Sequence, residues 1–171
     1  MPSKVYNNVE DHRLLDGNSI VEDVTKVGLP TLKHDTTTIQ AAGMAMDVDM
    51  PNTTHIAAMD YTITHNNGVN GNLLGTPGKH TQEFRTVRQR YNVAGGAVEH
   101  ESVKYRLVGV HVETQKGDIE TGSPYGSTEK YSCLRYEEEI DGKIVTIIDA
   151  MAGVIKYNGK TYTDEVQNML K

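Results

Sequence analysis

Several stretches of this chain alternate apolar and polar residues with a period of two. Alternate side chains of an extended backbone leave opposite faces, so such a pattern reads as strand. Between Ile56 and His65, Ala57, Met59, Tyr61 and Ile63 point one way while Asp60, Thr62 and Thr64 point the other. Over Glu83 to Val93, one face reads Val87, Tyr91, Val93 and the opposite one carries Arg88 and Arg90. Ser102 to Glu113 is long enough for a major strand. Its apolar positions run Val103, Tyr105, Leu107 and then change parity to Val108, Val110, Val112, which predicts a β-bulge beside Gly109. Tyr131–Ile140 and Lys143–Asp149 flank Asp141-Gly142, a dipeptide suited to a two-residue hairpin because both residues tolerate positive φ. The expected class is therefore mainly β and antiparallel.

Helical signals are sparse. Thr163-Asp164-Glu165 caps a short terminal helix with Val166, Met169 and Leu170 on one face. A further turn of helix is expected around Leu73 and Leu74 within Asn66–Gly75, against the influence of Gly68, Gly71 and Gly75. Two long segments, Leu29–Pro51 and Thr114–Lys130, show no regular period, and loops of that length in a compact domain usually bind something. The 171 residues carry no linker or internal repeat and are read as one domain, 1–171, with residues 1–23 as an N-terminal arm.

Chemistry is hard to place on this pattern. The seven histidines, at 12, 34, 55, 65, 80, 100 and 111, form no HxH or HxxxH pair. His111 with Glu113, and Asp47 with Asp49, share a strand face but lack further ligands nearby, so no metal site is expected. The single cysteine, Cys133, lies in an alternating strand and reads as inert packing. Glu137-Glu138-Glu139 splits between two faces and reads as a solvated or lumen-facing strand end. There is no nucleophile elbow, P-loop or dinucleotide fingerprint, and the chain is expected to be neither an enzyme nor dependent on a cofactor. The net charge is −6 without a basic cluster, which disfavours tight nucleic-acid binding. No apolar run approaches a membrane span or a signal core.

In order along the chain stand Val27-Gly28-Leu29-Pro30-Thr31-Leu32, Thr38, Gly43-Met44, Val48-Asp49-Met50-Pro51 and Met59-Asp60-Tyr61-Thr62-Ile63. Glu83-Phe84-Arg85, Gln89-Arg90-Tyr91, Val108-Gly109-Val110 and the run Gln115 to Gly122 (QKGDIETG) follow. Tyr136, Ile140-Asp141-Gly142-Lys143, Ile148-Asp149 and Tyr157-Asn158-Gly159 close the series. This ordered series, from about Val24 to the C-terminus, resembles the major tail tube protein of contractile-tailed phages and phage-tail-like bacteriocins.

The resemblance implies an antiparallel β-sandwich or half-barrel with one or two short flanking helices and long loops. It also implies six-membered rings, a ring-shaped inner β-barrel, and stacking of rings into a hollow tube. Sheath, baseplate and terminator proteins would be its partners, with DNA or ions crossing the lumen unbound. The setting would be a virion tail or tail-like particle assembled in the bacterial host cytoplasm. Six such chains would carry about −36, a charge that keeps DNA phosphates off a bore wall. Assembly contacts are expected at Gly43, Met44, Asp47, Asp49 and Pro51 in one segment and at Lys116 and Asp118 in the other. Arg85, Arg88 and Arg90 are candidates for pairing with acids across an interface. Two other readings fit the same residues: the inner tube of a bacterial secretion system, and a monomeric β-sandwich ligand-binding module, which would show an aromatic platform.

Overall fold

The computed structural model describes residues 4–66 and 75–171. Among the described residues, twelve strands and one helix follow in order. They are β1 (Lys4–Asp16), β2 (Ser19–Val21), β3 (Val24–Gly28), β4 (His34–Ile39), β5 (Val48–Ile56) and β6 (Met59–His65). The second half has β7 (Lys79–Asn92), β8 (Ala97–Lys116), β9 (Ser127–Ile140), β10 (Lys143–Asp149), β11 (Val154–Tyr157), β12 (Lys160–Thr161) and α1 (Asp164–Met169). The turn of helix expected around Leu73 and Leu74 falls outside the described residues.

All pairings are antiparallel. The main sheet runs β12-β11-β10-β9-β8-β7-β1-β2, while β4 and β5 form a separate two-stranded ribbon. β9 is the branch point. One of its edges is taken along its length by β8. Its other edge is divided: Ser127–Cys133 pairs β6, and Arg135–Ile140 pairs β10. β6 in turn carries β3, so the sheet forks and its two arms curl over a common core. The curl brings β3 toward β1, where His12 Nε2 donates to the Val24 carbonyl at 3.2 Å, but no ladder joins them. The result is a half-barrel with an open seam.

Leu14, Ile63, Leu107 and Tyr61 are almost wholly buried in the fork, and Phe84, Met59, Cys133, Tyr136 and Ile148 complete the core. Burying each such side chain is worth about 1.5–3 kcal/mol. The Tyr61 ring stacks on Tyr131, its cross-strand partner, at 5.0 Å between centroids and meets Phe84 edge-on. The Cys133 thiol, pushed up to about 12 by burial, packs in the core and donates to the Arg135 carbonyl.

The expected strands are present, and the Asp141-Gly142 turn has φ of 47° and 79°. Three details differ. The slip beside Gly109 is real, but the extra residue is Leu134 on β9: Val108 faces Arg135 while Gly109 faces Cys133. β8 therefore keeps its alternation as far as His111, so Val108 and Val110 lie on the face opposite Leu107, and Val110 and Val112 are exposed. Second, β7 is turned the other way from its apolar pattern. Val87, Tyr91 and Val93 are exposed, whereas Arg88 and Arg90 sit over buried Glu101, because opposite charges on β8 satisfy them there. Third, within the segment read as an N-terminal arm, Lys4–Asp16 form β1 and pair β7 from Gln82 to Asn92.

Gly109 is required by packing: a Cβ there would lie 2.6 Å from the Tyr61 hydroxyl and 2.8–3.0 Å from its ring. Gly109→Ala is expected to lower unfolding free energy by about 1–3 kcal/mol, read as a reduced urea midpoint at unchanged slope.

Candidate functional site: assembly surfaces

Three surfaces leave backbone or apolar groups uncovered. The first is the β4–β5 ribbon. Ile39 pairs with Val48 and Thr37 with Met50, which gathers an apolar face; Thr38 pairs with Asp49 on the other. Thr38 Oγ1 donates to Asp49 and Gln40 Nε2 to Asp47, both at 2.7 Å, so the two acids do share a face. Gly43 turns the tip with φ of +92°, and Ile39, Met44, Met46, Val48 and Met50 are all exposed. A face this apolar left open to water is a candidate contact surface. What looked like a long irregular segment is thus a regular ribbon that contributes little to the core beyond Leu32 and Ile56 at its root.

The second surface is the far end of β1, β7 and β8, which runs beyond the core. Val5, Tyr91 and Val98 stand side by side across the three strands and are exposed. On the reverse side Arg90 donates to Glu99 at 3.0 Å and to Glu101 at 2.7 Å, and Arg88 donates to Glu101 at 2.5 Å. Arg88 also lies 5.0 Å over the Tyr6 ring. Sequence reasoning missed this surface because bulges at Asn7 and Glu10 break the alternation of β1. Beyond the short β2 pairing at Leu14–Asp16, the outer edge of β1 from Lys4 to Arg13 carries no strand among the described residues.

The third is the loop 117–126. It is shorter than the irregular stretch expected, since β8 extends to Lys116 and β9 starts at Ser127. Gly117 N donates to Gly126 O at 2.7 Å, and a Cβ on Gly117 would overlap the Tyr125 carbonyl oxygen at 1.4 Å. Lys116 and Asp118 are exposed at the root of this loop. Gly43, Met44, Asp47, Asp49 and Pro51 come together on the ribbon, while Lys116 and Asp118 lie apart from them on another element.

A sheet face crossed by ion pairs separates these surfaces. Arg106 donates to Glu83 at 3.0 Å and to Glu137 at 2.5 Å and lies 3.1 Å from Glu139. Lys104 holds Glu139 at 2.9 Å, Arg135 spans Glu137 and Asp149, and Arg85 pairs with Glu83. Glu137 and Glu139 are thus buried beneath cations, not solvated, because three basic side chains from β8 and β9 close over them. Arg85, Arg88 and Arg90 likewise find their acids within the chain and need no interface. Glu138, on the opposite face, accepts from the Tyr136 hydroxyl at 3.5 Å.

Beneath the 117–126 loop lies a buried polar end. His111 Nε2 and Thr114 Oγ1 both donate to Glu129, which is 1% exposed. His111 and His80 flank the Tyr131 ring edge-on. The bulge at Val112 turns Glu113 to the face opposite His111, so the expected shared face does not form. Among the described residues no set of His, Cys, Asp or Glu could hold a metal ion. The large buried tyrosines stack inside the core and do not form an exposed aromatic platform.

The profile of the phage tail tube protein FII family matches residues 12–170. No curated protein matches the sequence. Among solved structures, the chain is similar to one from the sheath-tube complex of an extracellular contractile injection system, PVC, in its extended state. That likeness has a TM-score of 0.52 at 11% identity over 75% of this chain and 87% of the other. It is also similar to the tube-terminating cap of the anti-feeding prophage, with a TM-score of 0.52 at 14% identity and the same coverage of 75% and 87%. At such identities the likeness establishes a shared fold.

Acid should weaken this chain in two stages. Burial pushes the His65 imidazole below its ordinary value, against the pull of Glu129 and Asp23, so the unfolded chain gains a proton first as pH falls below about 6.5. For Glu83, burial alone would raise the carboxyl, but hydrogen bonds from Arg85 and Arg106 outweigh it; for Glu139 the Lys104 hydrogen bond leads in lowering it. Their contribution is present above about pH 4.5 and is lost as pH falls through the lowered values. Urea unfolding at stepped pH should show both declines, with His65→Gln removing the upper one. Arg106→Gln should lower stability by about 1–3 kcal/mol at neutral pH, a figure held down because Arg106 is 39% exposed.

Proposed function

The chain belongs to the phage tail tube protein FII family, whose members are structural subunits of a tail tube, and on that premise we propose that it closes into six-membered rings that stack into a hollow conduit. The observation that carries this reading is the β4–β5 ribbon. It presents Ile39, Val48 and Met50 to water on a two-stranded element that owes little to the core. A monomer gains nothing from such an element, whereas a polymer buries it between subunits.

The unpaired edge of β1 beside the Val5–Tyr91–Val98 ladder supports lateral closure, because a free edge invites another strand and a ring removes it. Gly43, Met44, Asp47, Asp49 and Pro51 then serve contacts between copies, and Lys116 and Asp118 a second contact from their loop. The partners that follow are sheath on the outer wall and baseplate and terminator proteins at the ends. The assembled particle is a virion tail or tail-like body built in the host cytoplasm.

DNA or ions cross the bore without specific binding. Balanced ion pairs on the β7–β8–β9 face favour a wall that holds neither sign of cargo. Glu137 and Glu139 are already neutralised, so the repulsive charge comes from unpaired acids elsewhere on the −6 chain.

Negative-stain electron microscopy of the chain at rising concentration should show rings or hollow rods. Deleting Gln40–Val48 should abolish rods while leaving the far-ultraviolet circular dichroism of a β-protein. Rods of normal length from the deleted chain would overturn the role given to the ribbon.

A further inference from the structure

The open seam of the half-barrel is a groove with no strand in it. It lies between the outer edge of β1 and the outer edge of β3, and neither edge carries a ladder there among the described residues. Phe84 and Tyr105 form its floor, and Val9, Val27 and Leu29 its walls, enclosing about 410 Å³. Val9 and Leu29 are 56% and 40% exposed. Arg13 and Lys26 stand on the rim, exposed, and among the described residues neither takes part in an ion pair. The seam thus offers three things at once: unpaired backbone on two strands, an apolar floor, and uncompensated positive charge.

The ribbon offers the complement of each. Among the described residues both of its outer edges are unpaired, because β4 and β5 pair with each other alone. One face is apolar through Ile39, Val48 and Met50, with Met44 and Met46 at the tip. Its other face carries Asp47 and Asp49, which have hydrogen bonds but, among the described residues, no cation, and the chain has no Lys or Arg between Lys33 and Lys79. Acidic and apolar on one element, basic and apolar on the other, the two surfaces match in sign and in kind.

We propose that the β1–β3 seam is the receptor for the β4–β5 ribbon of a second copy of this chain. The inference rests on the tube reading for its occupant, and adds the seat that the ribbon takes. The apolar face of the ribbon lies over Val9, Val27 and Leu29, its acids meet Arg13 and Lys26, and strand addition supplies main-chain hydrogen bonds. Donor and receptor are different surfaces, so the contact is head-to-tail: closed into a ring it leaves no end, and between stacked rings it leaves free ribbons at one end of the stack and free seams at the other.

The test uses the full chain with single surface cysteines, since the native Cys133 is buried. Met46→Cys on one tagged chain is mixed with Leu29→Cys on a chain of different tag and oxidised with copper phenanthroline. Heterodimer at least tenfold above a Met46→Cys plus Ile144→Cys mixture is expected. A second arm reverses charge: Asp47→Lys/Asp49→Lys and Arg13→Glu/Lys26→Glu should each cut sedimentable polymer at least tenfold, and mixing the two should restore it. Rods from the native chain with no heterodimer above control would overturn the seam as the seat while leaving the tube reading intact. Heterodimer and charge rescue without rings or rods would uphold the seat and remove the ring reading. Cross-linking only within a Met46→Cys/Leu29→Cys chain would place the ribbon on its own seam and overturn the proposal.

Discussion

One edge of β9 is asked to serve two strands, and the architecture follows from how it does so. At Leu134 the strand gives up its register, handing Ser127–Cys133 to β6 and Arg135–Ile140 to β10. The extra residue lets the two halves diverge, since a bulge both twists and bends a strand. Only because they diverge do the arms enclose a volume, and only Gly109, directly opposite, lets Tyr61 fill it. The stacked Tyr61–Tyr131 pair is therefore the point at which the fork is held shut. The same divergence prevents β3 from reaching β1 in register, and the seam is the remainder.

Charge is distributed with a consistent logic. On the sheet face, four acids (Glu83, Glu137, Glu139, Asp149) meet four bases (Arg85, Lys104, Arg106, Arg135), and the far end adds Arg88 and Arg90 over Glu99 and Glu101. Exposed pairs of this type are worth little one at a time, and partial burial in a network raises what each contributes. Their greater effect is on specificity. Long strands with paired charges resist sliding by a residue, because a one-step slip would set like charges opposite each other. Outside this network, Asp47 and Asp49 on the ribbon and Arg13 and Lys26 on the seam rim have no oppositely charged partner among the described residues.

Much of this was legible in the sequence where period and turn chemistry agree. Met59, Tyr61 and Ile63 face the core as their spacing requires, and Asp141-Gly142 turns as its φ preference requires. Legibility failed where the alternation carried the wrong sign. Val87, Tyr91 and Val93 look like a core face, yet the arginines lie inside, because Glu99 and Glu101 arrive from a strand the local pattern does not see. It failed again at β1, where two bulges interrupt the period, and at the ribbon, where Thr36-Thr37-Thr38 and the methionines carry no strong alternation. Asn158-Gly159 turns β11 into β12 with the same geometry as Asp141-Gly142, but β12 has only two residues to announce it. The ribbon set was singled out for contacts because a stretch that long without a period usually binds something in a compact domain. The β1 edge was not, since an edge is a property of the sheet and not of its own residues.

The ribbon's separateness from the core also bears on how such a chain can change over time. A residue within the fork answers to many neighbours, so an altered Tyr61 or Leu107 disturbs folding before it disturbs anything else. Residues 36–50 answer mostly to each other across one ladder. With the ribbon seated as proposed, substitutions there would leave the body of the subunit intact and act on which copies recognise one another. Ribbon and receptor are thus free to drift as a matched set, which gives two related particles sharing one cell a way to keep their subunits from mixing while the rest of the sequence stays interchangeable.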